Sequence, residues 1–230
     1  MATNLYETGE TMPQSPDKMA ASAVPYNKFI LSIYDLYVIQ FSNSFVWQCP
    51  STRILEFYNA HISANHLDVG VGTGYFLDRC RFPTASPRIA LLDLNPNTLD
   101  TTSQRLQRYG VETYVGDVLK PIASPAPGFD SIGLNYLLHC LAGDMNAKSA
   151  VFQNLRPLLN PSGVLFGSTI LGEGVPHNFL GRKLMQTYNA KGIFGNVHDN
   201  VHDLEAALAA NFNSHAVEVQ GCVALFHAEI

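Results

Sequence analysis

The stretch HLDVGVGTGYFLDRC, from His66 to Cys80, places three glycines at alternate positions directly after a short apolar run. The apolar run predicts a buried β-strand, and the residues after Gly74 predict the start of a helix. Glycine in a strand-to-helix turn allows a positive φ and lets a ligand approach the backbone without meeting a Cβ atom. The following helix would present unpaired N–H groups and a partial positive charge, so we expect a nucleotide-like ligand at this turn.

Two glycine patterns could explain such a turn. The dinucleotide pattern G-x-G-x-x-G fails, because Tyr75 stands where the third glycine is required. The pattern D/E-x-G-x-G-x-G is matched at every fixed position from Asp68 to Gly74. Three further motifs follow in order, namely LLDLN around Asp93, VGDVL around Asp117, and FDSIGLNYLLHCL followed by LRPLLNPSGVLFGSTI.

Together these motifs make the chain resemble the class I S-adenosylmethionine-dependent methyltransferases, strongly over residues 66–170 and weakly over the closing strands. The resemblance implies that Asp93 accepts hydrogen bonds from both ribose hydroxyls and that Asp117 holds the adenine amino group. Asp68 would fix the loop amides or reach the amino group of the methionine moiety. The residues expected to bind the cofactor S-adenosylmethionine are Asp68, Gly70, Gly72, Gly74, Asp93, Leu94, Asn95, Asp117, Val118 and Asn135.

Each of these residues also has a purely structural interpretation. The three glycines could simply tighten a turn, and Asp93 could be a helix N-cap, a position that favours aspartate. Asp117 could cap the turn before Pro121. Asn135 is expected to serve the cofactor through its backbone.

The pattern of the whole chain favours an α/β fold: a doubly wound, mainly parallel seven-stranded sheet, Rossmann-like, with an antiparallel C-terminal hairpin. The strands are predicted at residues 66–70, 89–94, 112–115, 131–135, 164–170, 216–221 and 223–228, with helices at 178–190 and 202–211. Residues 1–25 are expected to form a flexible leader. Residues 26–64 have apolar residues at helical spacing and are predicted to form a helical lid, broken near Asn43 and at Pro50, on a single domain covering residues 26–230.

The acceptor is expected near the carboxyl end of the fourth strand, where ligands bind in open α/β sheets. His139 is the candidate general base, because an unperturbed imidazole titrates near neutral pH. The alternative for His139 is a buried, hydrogen-bonded structural role. Residues expected to contact the acceptor are Tyr34, Trp47, Tyr136 and His177.

A metal site is not expected. His198 and His202 stand four residues apart, but the surrounding Asp and Asn residues are equally typical of a loop that caps the next helix. The paired acids with which similar catechol-type enzymes bind magnesium have no clear counterpart.

Charge and composition limit the classes of partner that the chain is expected to bind. The net charge of −5, with only 14 Lys and Arg residues among 230, argues against nucleic acid, and no apolar run is long enough to cross a membrane. The four cysteines are widely spaced and no signal peptide precedes them, so we expect reduced thiols and a cytoplasmic protein. A homodimer is possible through the N-terminal helices or the sheet edge.

The sequence therefore predicts methyl transfer to a small molecule, with an oxygen acceptor slightly favoured over nitrogen or sulfur. The alternative is a non-methylating enzyme on the same fold, in which the sulfonium charge assists a rearrangement or cyclisation.

Overall fold

The computed structural model describes residues 42–123 and 128–230. The predicted leader, Tyr34 and most of the predicted lid lie outside these residues. The helices of the described chain are α1 (Ser51–His61), α2 (Tyr75–Arg79), α3 (Pro96–Arg105), α4 (Met145–Leu155), α5 (Phe179–Ala190) and α6 (Val201–Ala209). The strands are β1 (Asn65–Val69), β2 (Arg88–Asp93), β3 (Val111–Val115), β4 (Phe129–Asn135), β5 (Leu159–Ile170), β6 (Ser214–Gln220) and β7 (Val223–Glu229).

The seven strands form one sheet in the order β3-β2-β1-β4-β5-β7-β6. Strands β1 to β5 are parallel, whereas β7 runs antiparallel to β5 and to β6. The predicted α/β architecture and its antiparallel C-terminal hairpin are confirmed. The chain passes from β1 to β2 on one side, while β4 lies on the other side of β1, so the switch point that receives ligands in such sheets lies at the end of β1.

The fifth strand differs from the prediction at its start. It begins at Leu159 rather than Val164, because Phe129 pairs with Leu159 before the register with β4 shifts. Residues 160–163, which precede the predicted strand, are thus part of an irregular strand. The remaining predicted strands agree with the observed bounds to within two residues.

Helix starts follow local chemistry. Helix α1 begins directly after Pro50, the predicted break, and buries Ile54, Phe57 and Tyr58. Asn178 and Asn200 lie just outside α5 and α6, where each side chain accepts a hydrogen bond from a backbone N–H of the first helical turn.

The core forms on both faces of the sheet. One cluster packs α4 and α6 against residues such as Leu134 and Phe226. The other packs α1, α2 and α5 against residues such as Leu91 and Phe166. This support on both faces fixes the carboxyl ends of the parallel strands, where the candidate site lies.

Candidate active site

The glycine loop after β1 is open to a ligand at one point. Gly70, Gly72 and Gly74 have φ angles of 67°, 53° and 68°. A Cβ atom on Gly70 would lie 2.6 Å from Leu137 Cδ1, and one on Gly74 would lie 2.7 Å from Thr102 Cγ2. A Cβ on Gly72 would meet nothing within 4 Å. Gly70 and Gly74 therefore allow close packing, whereas Gly72 leaves backbone facing open space.

Helix α3 and strand β2 hold this loop in place. Thr102 Oγ1 donates to the Gly72 carbonyl at 3.2 Å, and Arg105 Nη1 donates to the Thr73 carbonyl at 2.6 Å. The Gly70 amide donates to the Leu92 carbonyl at 2.8 Å. These bonds restrain the loop.

The carboxylate of Asp93 lies against the same loop. Its Oδ1 accepts a hydrogen bond from the Asn95 amide at 2.8 Å, and the amides of Val71 and Gly72 also interact with the carboxylate. Burial raises the pKa of Asp93. The N-cap of α3 is Asn95, whose Oδ1 accepts from the Asn97 amide at 3.0 Å, so the N-cap interpretation does not apply to Asp93.

The predicted adenine side is formed by residues after β2 and β3. The Leu94 side chain is 63% exposed and lies directly after Asp93. Asp117 accepts from the Leu119 amide at 3.1 Å and pairs with Lys120 at 3.2 Å, as expected for a residue that caps its own turn. The Val118 side chain is buried in the core, so it is not available to a ligand.

Asp68 lies at the base of the loop and is only 7% exposed. Burial raises its pKa to about 7, and a hydrogen bond from Tyr58 opposes this shift. The nearby Asp93 raises it further. Among the described residues, neither Asp68 nor Asp93 forms an ion pair with a lysine or arginine. Two acids without a lysine or arginine partner in the described chain, beside an open backbone, are compatible with a cationic ligand.

The end of β4 holds a strained residue. Tyr136 has a φ of 57°, a region that side-chain-bearing residues rarely adopt, and its amide donates to the Ser168 carbonyl at 2.8 Å. Its buried hydroxyl has no hydrogen-bond partner among the described residues, and the same holds for Asn135 Nδ2. Asn135 Oδ1 accepts from the Ser168 hydroxyl at 3.0 Å. Strain and unpaired polar atoms at a strand end are typical of functional sites.

His139 follows in a short helical turn and is only 3% exposed. Its ring packs against Phe194 and Tyr136, at centroid distances of 4.6 and 5.5 Å. Burial, with a smaller effect from Lys148, lowers its pKa to about 3. The imidazole is therefore neutral at physiological pH. The general-base role of His139 stays a prediction.

Trp47 and His177 meet on the far side of the same region. Their rings lie 6.4 Å apart in a T-shaped arrangement, and Trp47 also packs 6.1 Å from Phe194. His177 Nε2 lies 2.9 Å from the Leu171 carbonyl and donates to it, which leaves the buried Nδ1 without a partner in the described chain. The structure thus places Trp47 and His139 against Phe194, with His177 beside Trp47 and Tyr136 beside His139. The sequence interpretation did not single out Phe194.

The sequence interpretation also missed Lys148, whose contacts lead to the backbone of His139. Lys148 is fully buried, and its Nζ donates to Asp199 Oδ2 at 2.6 Å and to the Gly195 carbonyl at 2.9 Å. The Gly195 amide donates in turn to the His139 carbonyl at 2.9 Å. A sequence signal existed, since Lys148 follows Met145 by three residues and so lies on the apolar face of α4.

His198 and His202 do not gather metal ligands. His198 Nδ1 lies 2.7 Å from Glu173 Oε1, and both side chains are exposed. In residues 42–123 and 128–230, no group of three His, Cys, Asp or Glu side chains could hold a metal ion.

An α/β sheet with an open glycine loop after β1 and an acid after β2 defines a nucleotide-binding fold of the S-adenosylmethionine type. A family model described as "Methyltransferase domain" matches residues 67–165. Demethylluteothin O-methyltransferase of Streptomyces thioluteus is 41% identical over 203 residues, which cover 88% of each chain. The physcion biosynthesis cluster O-methyltransferase of Aspergillus chevalieri is 38% identical, over 88% of this chain and 92% of its own length.

Among solved structures, a DhpI-SAM-HEP complex superposes with a TM-score of 0.64 at 17% identity, covering 94% of this chain and all of that chain. This likeness concerns the fold. On the similarity to its curated relatives, the chain belongs to the S-adenosylmethionine-dependent methyltransferases.

Proposed function

We propose that this methyltransferase methylates an oxygen of a flat small molecule with an acidic hydroxyl, such as a phenol or an enol. The observation that carries the proposal is the aromatic wall at the ends of β4 and β5, in which the imidazole of His139 is buried and neutral. Aromatic rings favour a flat apolar acceptor. A weak base favours a hydroxyl that ionises without much help.

The two curated relatives support oxygen as the acceptor atom, because both are O-methyltransferases by name. The net charge of −5 disfavours binding to nucleic acid, which supports a small-molecule acceptor.

The described residues suit S-adenosylmethionine, which supplies a methyl group on a positively charged sulfur. We assign the ribose hydroxyls to Asp93, the adenine side to Leu94, Asp117 and the Val118 backbone, and the amino-acid end to the loop and Asp68. Asn95 acts indirectly, because its side chain caps α3 and its amide orients the Asp93 carboxylate. Asn135 and Tyr136 would lie where cofactor and acceptor meet.

Catalysis would then depend on alignment and on the exclusion of water. Tyr136, His177 and Phe194, which are half-buried, would hold the acceptor plane, and the buried Trp47 and His139 would support that wall. The Tyr136 hydroxyl and His177 Nδ1 are buried and have no hydrogen-bond partner among the described residues, so each needs one from a bound water or ligand.

The predicted lid, including Tyr34, would complete the enclosure. Phe45, Phe179 and Leu180 are exposed apolar side chains. Asn178 Nδ2 donates to the Phe45 carbonyl at 2.7 Å, which brings the start of α5 next to Phe45. We propose that residues 26–230 form a single domain in which residues 26–64 are the helical lid, and that residues 1–25 are dispensable. A variant lacking residues 1–25 should therefore retain binding of S-adenosylhomocysteine.

A cytoplasmic location is supported by four free thiols, Cys49, Cys80, Cys140 and Cys222. No helix in the described part of the chain has the length and apolarity to span a membrane. A homodimer, if formed, would have the β6 edge or the N-terminal segment available.

The test is incubation of the purified protein with methyl-labelled S-adenosylmethionine and a panel of phenols, enols, amines and thiols, followed by mass spectrometry of the products. The expected result is label on oxygen of an acidic hydroxyl, with one S-adenosylhomocysteine per product. Label only on nitrogen or sulfur would overturn the choice of acceptor. Conversion of an acceptor without S-adenosylhomocysteine would instead identify a rearrangement or cyclisation enzyme.

A further inference from the structure

The segment between α5 and α6 carries Phe194 without a helix or a strand to hold it. Residues 191–200 form turns and irregular structure, and most of them are exposed or half-buried. Two side chains of this segment, those of Asn196 and Asp199, are instead buried. The position of the Phe194 ring therefore depends on the partners of these buried side chains and of the backbone beside them.

Asn196 attaches the segment to β5 and α5. Its Nδ2 donates to the Ile170 carbonyl at 2.8 Å, and its Oδ1 accepts from Asn189 Nδ2 at 3.1 Å. The Asn196 amide donates to Asn189 Oδ1 at 3.2 Å. These bonds hold the residue two positions after Phe194, but they do not involve Gly195, which follows the ring directly.

Gly195 is held from two sides. Lys148 Nζ of α4 donates to the Gly195 carbonyl at 2.9 Å, and the Gly195 amide donates to the His139 carbonyl at 2.9 Å. A Cβ atom on Gly195 would collide with the Leu141 carbonyl, although the φ of Gly195 is not positive. Glycine at this position therefore lets the segment lie directly against the chain that follows β4.

Asp199 holds the ammonium group of Lys148 in place. Its Oδ2 lies 2.6 Å from Lys148 Nζ, and the two side chains are only 1% and 0% exposed. The Asp199 carbonyl accepts from the amides of Gly172 and Glu173 at 2.8 and 3.0 Å, which anchors it after β5. Because hydrogen bonds between charged groups are stronger than neutral ones, the ammonium group is a firm support for the Gly195 carbonyl.

Stability alone does not explain a charged pair at this place. Removing two charges from water costs free energy, and well-packed apolar side chains of similar volume are often at least as stabilising. The ammonium group does provide directed bonds that an apolar side chain cannot form, and one of them ends on the residue after Phe194. The centroid of the Phe194 ring lies 4.6, 5.0 and 6.1 Å from those of His139, Tyr188 and Trp47.

We propose that Lys148 and Asp199 are positioning residues for the methyl acceptor, because they hold the Gly195 carbonyl and so keep the Phe194 ring against Trp47 and His139. This inference rests on the proposed function, which places the acceptor against these rings. In the described chain, neither side chain hydrogen-bonds to the glycine loop or to Asp93. The pair therefore acts on the acceptor side of the site and not on cofactor binding.

The experiment compares wild type with Lys148→Met/Asp199→Asn, which removes both charges and the bond to Gly195 without leaving an unpaired buried charge. Trp47 is the only tryptophan of the chain, so its fluorescence reports on the rings that pack against it. Quenching of this fluorescence by acrylamide should increase at least about twofold in the double variant, because the released segment opens more often over Trp47. Affinity for S-adenosylhomocysteine, measured by calorimetry, should not change.

Three further variants complete the comparison. Phe194→Ala removes the ring itself and should increase the quenching at least as much. Arg88→Met/Glu112→Gln removes an ion pair of 2.8 Å at the amino end of β2 and should be quenched like wild type. Asp199→Asn alone weakens the hold on the ammonium group and should increase the quenching by less, and it replaces the double variant if that protein does not fold.

Kinetics extend the test to the acceptor. With the phenol of the labelling panel that gives the most product, the double variant should have a KM roughly tenfold higher, while kcat changes less. All measurements are made on protein that is folded by circular dichroism. A pair that only stabilises the fold would lower the free energy of unfolding and leave both the quenching and this KM as in wild type.

Each contrary result identifies a different error. If quenching increases in Phe194→Ala but not in the double variant, the positioning role is wrong. If it increases in neither, Phe194 does not shield Trp47 and the proposal is wrong as well. Increased quenching with an unchanged KM would mean that the positioned ring does not bind the acceptor. If no phenol is methylated although quenching increases in the double variant, the pair does position Phe194 and the proposed function is wrong.

Discussion

At the scale of single residues, Asp93 has the clearest assignment. A helix N-cap was the alternative, and the structure gives that role to Asn95. We predict that Asp93→Ala weakens binding of S-adenosylhomocysteine by about 1 to 3 kcal/mol, because a carboxylate that accepts two hydroxyls is lost. Calorimetric titration measures this, with the exposed Asp100→Ala on α3 as the control. Equal affinity in both variants would remove Asp93 from the ribose site.

His139 shows where the sequence is insufficient. Its position after β4 was predictable, but its protonation depends on burial between Phe194 and Tyr136, which no local pattern encodes. Because its pKa is lowered to about 3, the ring stays neutral as the pH falls from 8 to 5 and takes up a proton only near the lowered value.

We therefore predict that the dependence of kcat on pH between 5 and 8 is the same in wild type and in His139→Gln, and that kcat changes by less than about tenfold. A step near pH 6.5 that is present in wild type and lost in His139→Gln, together with a fall of roughly 100-fold or more, would restore the general-base role.

At the scale of elements, the turn between β6 and β7 secures the segment that carries Trp47. The Cys222 amide donates to the Trp47 carbonyl at 2.8 Å, and a Cβ on Gly221 would lie only 2.4 Å from that carbonyl oxygen. The sequence predicted this hairpin from its two apolar runs. It could not predict the contact with residue 47, because that contact depends on the insertion of β7 between β5 and β6.

Gly221→Ala should destabilise the protein by about 1 to 3 kcal/mol more than Gly192→Ala. Both glycines have positive φ, of 59° and 67°, but a Cβ on Gly192 would meet nothing within 4 Å. The comparison isolates the close approach from the backbone strain. Chemical denaturation measures the difference, and equal destabilisation would show that the turn does not restrain the Trp47 segment.

The buried ion pair between α4 and the chain after α5 gives a second prediction for an element. Lys148→Met should destabilise the fold by about 3 to 5 kcal/mol, because Asp199 is left buried without its partner. Lys148→Met combined with Asp199→Asn should recover part of this loss. Denaturation curves of wild type, Lys148→Met, Asp199→Asn and the double variant check it, and additive losses in the double variant would mean that the two residues are not coupled.

For the whole molecule, the sequence predicted the order of strands and helices well, because alternating apolar runs and helical patterns specify an α/β sheet. The glycine loop and Asp93 were predictable because their motif is contiguous. The hydrogen bond between Tyr58 and His66 and the ion pair between Lys148 and Asp199 were not predictable. Each joins residues from different elements that meet only after the sheet has formed. The aromatic side chains expected to contact the acceptor also come from different elements, which explains why the sequence did not predict Phe194.

The most direct test of the account is a crystal structure of the full chain with S-adenosylhomocysteine. We predict density for the ribose with both hydroxyls about 2.6 to 3.2 Å from the Asp93 carboxylate, the amino-acid end over Gly72, and the sulfur facing Tyr136 and the aromatic wall. Density for the nucleoside away from the glycine loop, or with its ribose turned from Asp93, would contradict the account.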